Sequence, residues 1–189
     1  GIVKALAAAG AEVWAVAEHA EELERACGTV RGPAPLHPVV ADLRRRSDAG
    51  RVIAAVQQLR PELSVLVNNA AVLPLKSLSD SDDSTWDAAL AVILTAPFVP
   101  TRLALPLMRA VGGSVINVSS RAGIEGFACE SAYCATKFGM IGLINVGAAG
   151  DPNAPTAPWG RDDSMGNDPL SARGNMWGDE IGDAFGAGG

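Results

Sequence analysis

Short apolar runs of four to six residues alternate with longer amphipathic ones along most of this chain, and few folds accommodate that rhythm. Val13 to Ala17, Leu36 to Ala41, Ser64 to Val67 and Ser114 to Val118 are largely apolar and each stops at a polar residue, as buried strands do. Between and around them, Ile2 to Ala9 (closed by Gly10), Glu21 to Cys27, Ser47 to Leu59, a long run from about Thr85, and Ser131 to Leu143 space their apolar residues like helix faces. Strands separated by helices pair in parallel, and right-handed crossovers lay the helices on both faces. The expected fold class is therefore α/β, a three-layer doubly wound parallel sheet of Rossmann type. Its polar residues collect just past the strand ends. No strand or glycine-rich turn is read before the first helix, and none after Leu143, so the sheet is expected to lack its first strand and its last strands. Residues 1–149 form a partial Rossmann-like domain on this reading. Residues 150–189, rich in Gly, Pro and Asp, form an irregular tail.

With 189 residues, 48% of them hydrophobic, the chain suffices for one domain with a real core. Its 15 basic and 21 acidic side chains give a net charge of -6, with no basic footprint for nucleic acid. The one dense basic group, Arg44-Arg45-Arg46, reads as a solvated helix start. Cys27, Cys129 and Cys134 lack metal-ligand spacing with the two histidines, His19 and His37, so no metal site is expected and a reduced, cytoplasmic protein is. No apolar run reaches the roughly 18 residues of a membrane helix, and no signal peptide is read, so no membrane partner is expected.

The chemistry concentrates between Gly112 and Leu143. Ser119 and Ser120 close the strand that starts at Ser114, and Tyr133 and Lys137 lie four apart on the following helix, sharing a face. An alcohol becomes a carbonyl when a hydride leaves its carbon and a proton leaves its oxygen. A tyrosine can exchange that proton if its phenolate is accessible; a free phenol has a pKa of about 10, and an ammonium one turn away favours the charged form. The Ser120 hydroxyl can hold the same oxygen in place. Just past Ala17, Glu18 is suited to accept from ribose hydroxyls and to repel a 2′-phosphate.

Several of these stretches belong to one known pattern. LVNNAA at Leu66 to Ala71, WDAAL from Trp86, GGSVINVSS from Gly112 and YCATK from Tyr133 together resemble a classical short-chain dehydrogenase/reductase, over about Ile2 to Leu143. YCATK with NNAAV is most similar to the dicarbonyl and xylulose reductase branch. The resemblance implies Tyr133 as catalytic acid/base, Ser120 as the residue orienting the substrate oxygen, and Lys137 as the nicotinamide-ribose ligand. It also implies Asn68 and Ala70 along the adenosine side and Asp42 against the adenine ring. The implied cofactor is NAD or NADP. Glu18, with no arginine read near the 2′ position, tips the expectation toward NAD. A small carbonyl or alcohol is the implied substrate. A homo-oligomer, dimer or tetramer, is expected through the helices Thr85 to Met108 and Ser131 to Leu143.

Three features depart from that family's pattern. The glycine-rich turn is lacking. Ile93 stands in VIL where the family has an asparagine in VNL, a residue that bends its helix and holds a water behind the lysine. After Leu143 the tyrosine's helix should run about two turns further and feed a strand, which the sequence does not show. The competing expectation is a catalytically silent or truncated relative acting as a structural subunit.

Overall fold

A computed structural model of the chain describes residues 1–109 and 111–150, with side chains as far as Leu143. Nearly all of the tail expected over 150–189 lies outside the described residues. The elements, in order, are α1 (Ile2–Ala8), β1 (Val13–Ala17), α2 (Ala20–Gly28), β2 (Leu36–Val40), α3 (Arg46–Leu59), β3 (Val65–Asn68), α4 (Asp83–Ala89), α5 (Ala96–Arg109), β4 (Ser114–Asn117) and α6 (Ser131–Gly150). A π-helical segment, Leu90–Thr95, joins α4 to α5, and single 3-10 turns lie at Leu78–Asp80 and Arg121–Gly123. Each expected strand is present to within one residue, and α6 runs about two turns beyond Leu143.

All strand pairing is parallel. Val13 faces Leu36 and Ala17 faces Val40 in β1–β2, while Val65 faces Ser114 and Asn68 faces Asn117 in β3–β4. The two pairs form separate two-stranded sheets among the described residues. In the doubly wound order 3-2-1-4-5-6 these four strands are the second to the fifth, and the place between β1 and β3 belongs to the first. Among the described residues no strand occupies that place, and the sheet divides there.

Packing explains the helices. Ala104, Leu107 and Met108 of α5 meet Ile53 of α3, with Leu63, Leu66 and Val115 of the β3–β4 half against them. α5 thus packs on β3 and β4 as well as on α3. Gly113 makes the close approach possible: a Cβ there would stand 2.7 Å from the Leu63 carbonyl oxygen and 2.9 Å from Met108 Cβ. A second cluster, Ala89, Ile93, Ala132 and Met140, joins the π segment to α6.

The N-cap of α4 is Asp82, whose Oδ1 accepts from the Thr85 N–H at 2.7 Å. A carboxylate is a strong acceptor and its charge suits the positive end of the helix; Ser84 donates to it at 2.7 Å. The helical stretch Asp83–Arg109, with mean hydropathy 1.7 over its most apolar 18 residues, is long and apolar enough by composition to cross a bilayer. A search for an unbroken apolar run passes over it because Thr95, Thr101 and Arg102 interrupt the run. Its inner positions are taken up against α3, β3, β4 and α6.

Candidate active site

The site is built where β4 ends and α6 begins. Ser120 caps the 3-10 turn after β4, its Oγ accepting from the Ala122 N–H at 3.2 Å. That turn is pressed against α6: a Cβ on Gly123 would lie 2.8 Å from Ser119 Oγ, 2.9 Å from Ile141 Cδ1 and 3.0 Å from the Lys137 carbonyl oxygen. Glycine at 123 therefore lets the serine segment sit directly on the turn of helix that carries Lys137. Upstream, Cys129 adopts a left-handed backbone, φ 62°, and its carbonyl accepts from the Lys76 N–H at 3.0 Å. This contact ties the loop after β3 to the start of α6.

Tyr133 and Lys137 share a face of α6 as their spacing demands. Lys137 is buried, its Nζ 5.6 Å from the centre of the Tyr133 ring, and it donates to the Val118 carbonyl at 2.8 Å. Burial pushes the lysine pKa down, because an ammonium loses its hydration. A backbone carbonyl is its one hydrogen-bond partner among the described residues, with no carboxylate to neutralise it. Beside it, Ser119 Oγ is buried with no hydrogen-bond partner among the described residues. The ammonium keeps N–H groups without a partner among the described residues, and hydroxyl oxygens of a sugar match such donors.

Ile93 is fully buried in the cluster against which the Tyr133 ring packs. The Leu90–Thr95 segment around Ile93 winds as a π-helix. Pro97 follows this segment as the second residue of α5. In a regular α-helix its ring would press on the carbonyl of residue 93, and widening the turn relieves that clash. Isoleucine still offers no donor or acceptor behind the lysine.

The other sequence-read residues fall into two groups, again past strand ends. Asn68 Nδ2 donates to Asn117 Oδ1 at 2.8 Å and to Thr101 Oγ1 at 3.1 Å, lacing β3 to β4 and α5. Its side chain thus braces the scaffold, and Ala70 is exposed in the loop that follows. Glu18 and Asp42 follow β1 and β2 and are drawn together by Arg44, which pairs with Glu18 Oε1 and donates through Nε to Asp42 Oδ1 at 2.8 Å. The guanidinium holds the Asp42 carboxyl below the usual carboxylate range. The arginine triplet is exposed, as read, and Arg46 opens α3, but Arg44 is also paired with two carboxylates. A contact spanning 26 residues leaves no local sequence signal.

Comparison with known proteins agrees with this geometry. The family model described as short chain dehydrogenase matches residues 1–150. D-beta-hydroxybutyrate dehydrogenase of Cupriavidus necator is 36% identical over 155 residues, covering 78% of this chain and 58% of that protein. Trans-4-hydroxycyclohexanecarboxylate dehydrogenase of Sinomonas cyclohexanicum is 43% identical over 86 residues, 46% of this chain and 33% of that protein. A metagenomic short-chain oxidoreductase solved in complex with NADP superposes with a TM-score of 0.72 at 32% identity, over 78% of this chain and 68% of that one. The chain thus spans between a third and three fifths of the length of these two curated relatives. From the parallel strand pairs, the Tyr133–Lys137 face and these matches together, the chain belongs to the short-chain dehydrogenase family.

Proposed function

We propose that the chain carries the acid/base centre of an oxidoreductase that moves a hydride between a nicotinamide dinucleotide and a small carbonyl or alcohol. The observation that carries the reading is Lys137, a buried ammonium held by a backbone carbonyl beside the Tyr133 ring. A buried cation without a counter-ion is costly in a structure and is spared where it has a ligand to bind. Bound nicotinamide supplies the hydride. The remaining steps belong to the protein: Tyr133 gives a proton to the substrate oxygen during reduction, Ser120 Oγ holds that oxygen, and Lys137 binds ribose hydroxyls and favours negative charge on the phenol oxygen. With the dinucleotide bound, Glu18 would accept from the adenosine ribose, Asp42 would hold the adenine, and the Asn68–Ala70 segment would line the adenosine side.

Titration of NADH and NADPH, followed by nicotinamide fluorescence, tests the reading. Both nucleotides are expected to bind, NADH more tightly because Glu18 repels a 2′-phosphate. Tighter NADPH would reverse the preference, and binding of neither would overturn the dinucleotide reading.

Association is proposed through the long helix and α6, where Trp86, Phe98 and Phe138 are exposed at 43%, 46% and 47%. Large rings left in water on neighbouring helices favour a second copy. Light scattering at micromolar concentration is expected to give a dimer or tetramer. A strict monomer would refute the pairing.

A further inference from the structure

The ends of β1 and β2 carry an ion cluster whose middle member the reading above leaves without a role. Ala17 and Val40 are register partners, and the Ala41 N–H donates to the Ala17 carbonyl at 2.9 Å, so Glu18 and Asp42 leave the sheet side by side. Arg44 folds back over both. Its Nη2 pairs with Glu18 Oε1, its Nε donates to Asp42 Oδ1 at 2.8 Å, and its backbone N–H donates to the same oxygen at 3.0 Å. Asp42 is itself held, its N–H donating to Asp48 Oδ2 at 2.9 Å and its Oδ2 lying 3.5 Å from Arg45 Nε. The side chains of Arg44 and Glu18 are 49% and 45% exposed, against 19% for Asp42. The guanidinium is therefore anchored on its Nε side by a firmly placed carboxylate and held on its outer side by a mobile-length, half-exposed one. A guanidinium has five N–H groups, and the two bonds above leave the rest without a partner among the described residues.

We propose that Arg44 is the specificity residue at the adenosine end of the cofactor, a phosphate-binding guanidinium that Glu18 holds in check. The proposal rests on the dinucleotide reading above and names the residue that decides between a 2′-hydroxyl and a 2′-phosphate. A 2′-phosphate arriving at the end of β1 must compete with the Glu18 carboxylate for the guanidinium and is repelled by that carboxylate as well. A 2′-hydroxyl displaces nothing, since Glu18 Oε2 has no partner among the described residues and can accept its proton. When Glu18 is made neutral, Asp42 still fixes Nε, so the freed Nη1 and Nη2 stay in place. A planar fork held in position is suited to a phosphate monoester, to which it can donate two parallel hydrogen bonds. Because the cluster is exposed, the gain should weaken as salt is added.

The test is a double-mutant cycle on the full chain with NADH and NADPH as probes, read as dissociation constants by fluorescence, with melting curves on all four proteins. Glu18→Gln is expected to tighten NADPH by about 10- to 100-fold, the range for added charge-assisted hydrogen bonds, and to weaken NADH, whose ribose loses a carboxylate acceptor. Adding Arg44→Ala to it is expected to abolish that gain, and Arg44→Ala alone to weaken NADPH below the unmodified chain. The four should melt together, since both side chains are half exposed. An equal NADPH gain with and without Arg44 would mean that only repulsion by Glu18 was relieved, and would overturn the role of Arg44. No gain in Glu18→Gln while NADH still binds would overturn it too. Failure of all four proteins to bind either nucleotide would instead overturn the dinucleotide reading beneath it.

Discussion

Tyr133→Phe is expected to lower turnover by about 10²- to 10⁴-fold, the range for losing a positioned proton donor, with nucleotide affinity nearly unchanged. The substitution is clean because the ring packs on Ala89, Ile93, Ala132 and Met140, contacts that phenylalanine keeps. The Tyr133 hydroxyl has no hydrogen-bond partner among the described residues, so its removal orphans no buried group. Equal losses in kcat and kcat/KM would place the hydroxyl in the transition state, and an unchanged melting curve would show that the scaffold is untouched. A variant that keeps most of its rate would take the acid/base role away from Tyr133. The same loss with a much lower melting temperature would make the hydroxyl structural.

Lys137→Met is expected to separate stability from function. The side chain keeps nearly the same length and stays apolar along its stem, so the buried volume remains filled. What goes is a desolvated ammonium and one bond to the Val118 carbonyl. Stability is expected to be unchanged or raised, as relief of the buried charge offsets the orphaned carbonyl. Nucleotide affinity is expected to fall about 10- to 100-fold through lost charged hydrogen bonds to the ribose, and turnover by more. The two proteins should also differ in pH dependence. The folded chain releases the Lys137 proton at a pH below the ordinary lysine value, while the unfolded chain still holds it. Between those two pH values the unfolded state binds more protons, so stability rises with pH; the methionine variant lacks that slope. Urea unfolding between neutral and alkaline pH reads both effects. A variant that unfolds readily at neutral pH would show that the ammonium–carbonyl bond holds α6 to β4.

Much of this was open to reading from residue order alone, because the governing forces are local. Whether Val13 to Ala17 is a strand depends on its own composition and neighbours, and Tyr133 and Lys137 share a face by helix geometry wherever the helix lies. Carboxyl-edge residues are equally legible, since a strand that stops at Glu18, Asp42, Asn68 or Ser119 must leave that residue at its end. Less legible was anything set by packing. Pro97 announces a disturbed helix, yet only the contact of Ile93 with α6 shows where the wide turn falls and what it faces.

The sequence by itself determined the α/β class, the parallel pairing and the Ser120, Tyr133 and Lys137 spacing, because side-chain periodicity and strand–helix alternation leave few arrangements. Only the tertiary structure decided the burial and ion pairing of the site's residues. Lys137 is buried where α6 meets the end of β4, against the Val118 carbonyl, and Glu18 is paired because parallel β1 and β2 bring residue 44 back to residue 18. Solvation and ion pairing depend on distances through space, and those are set by which strands lie side by side.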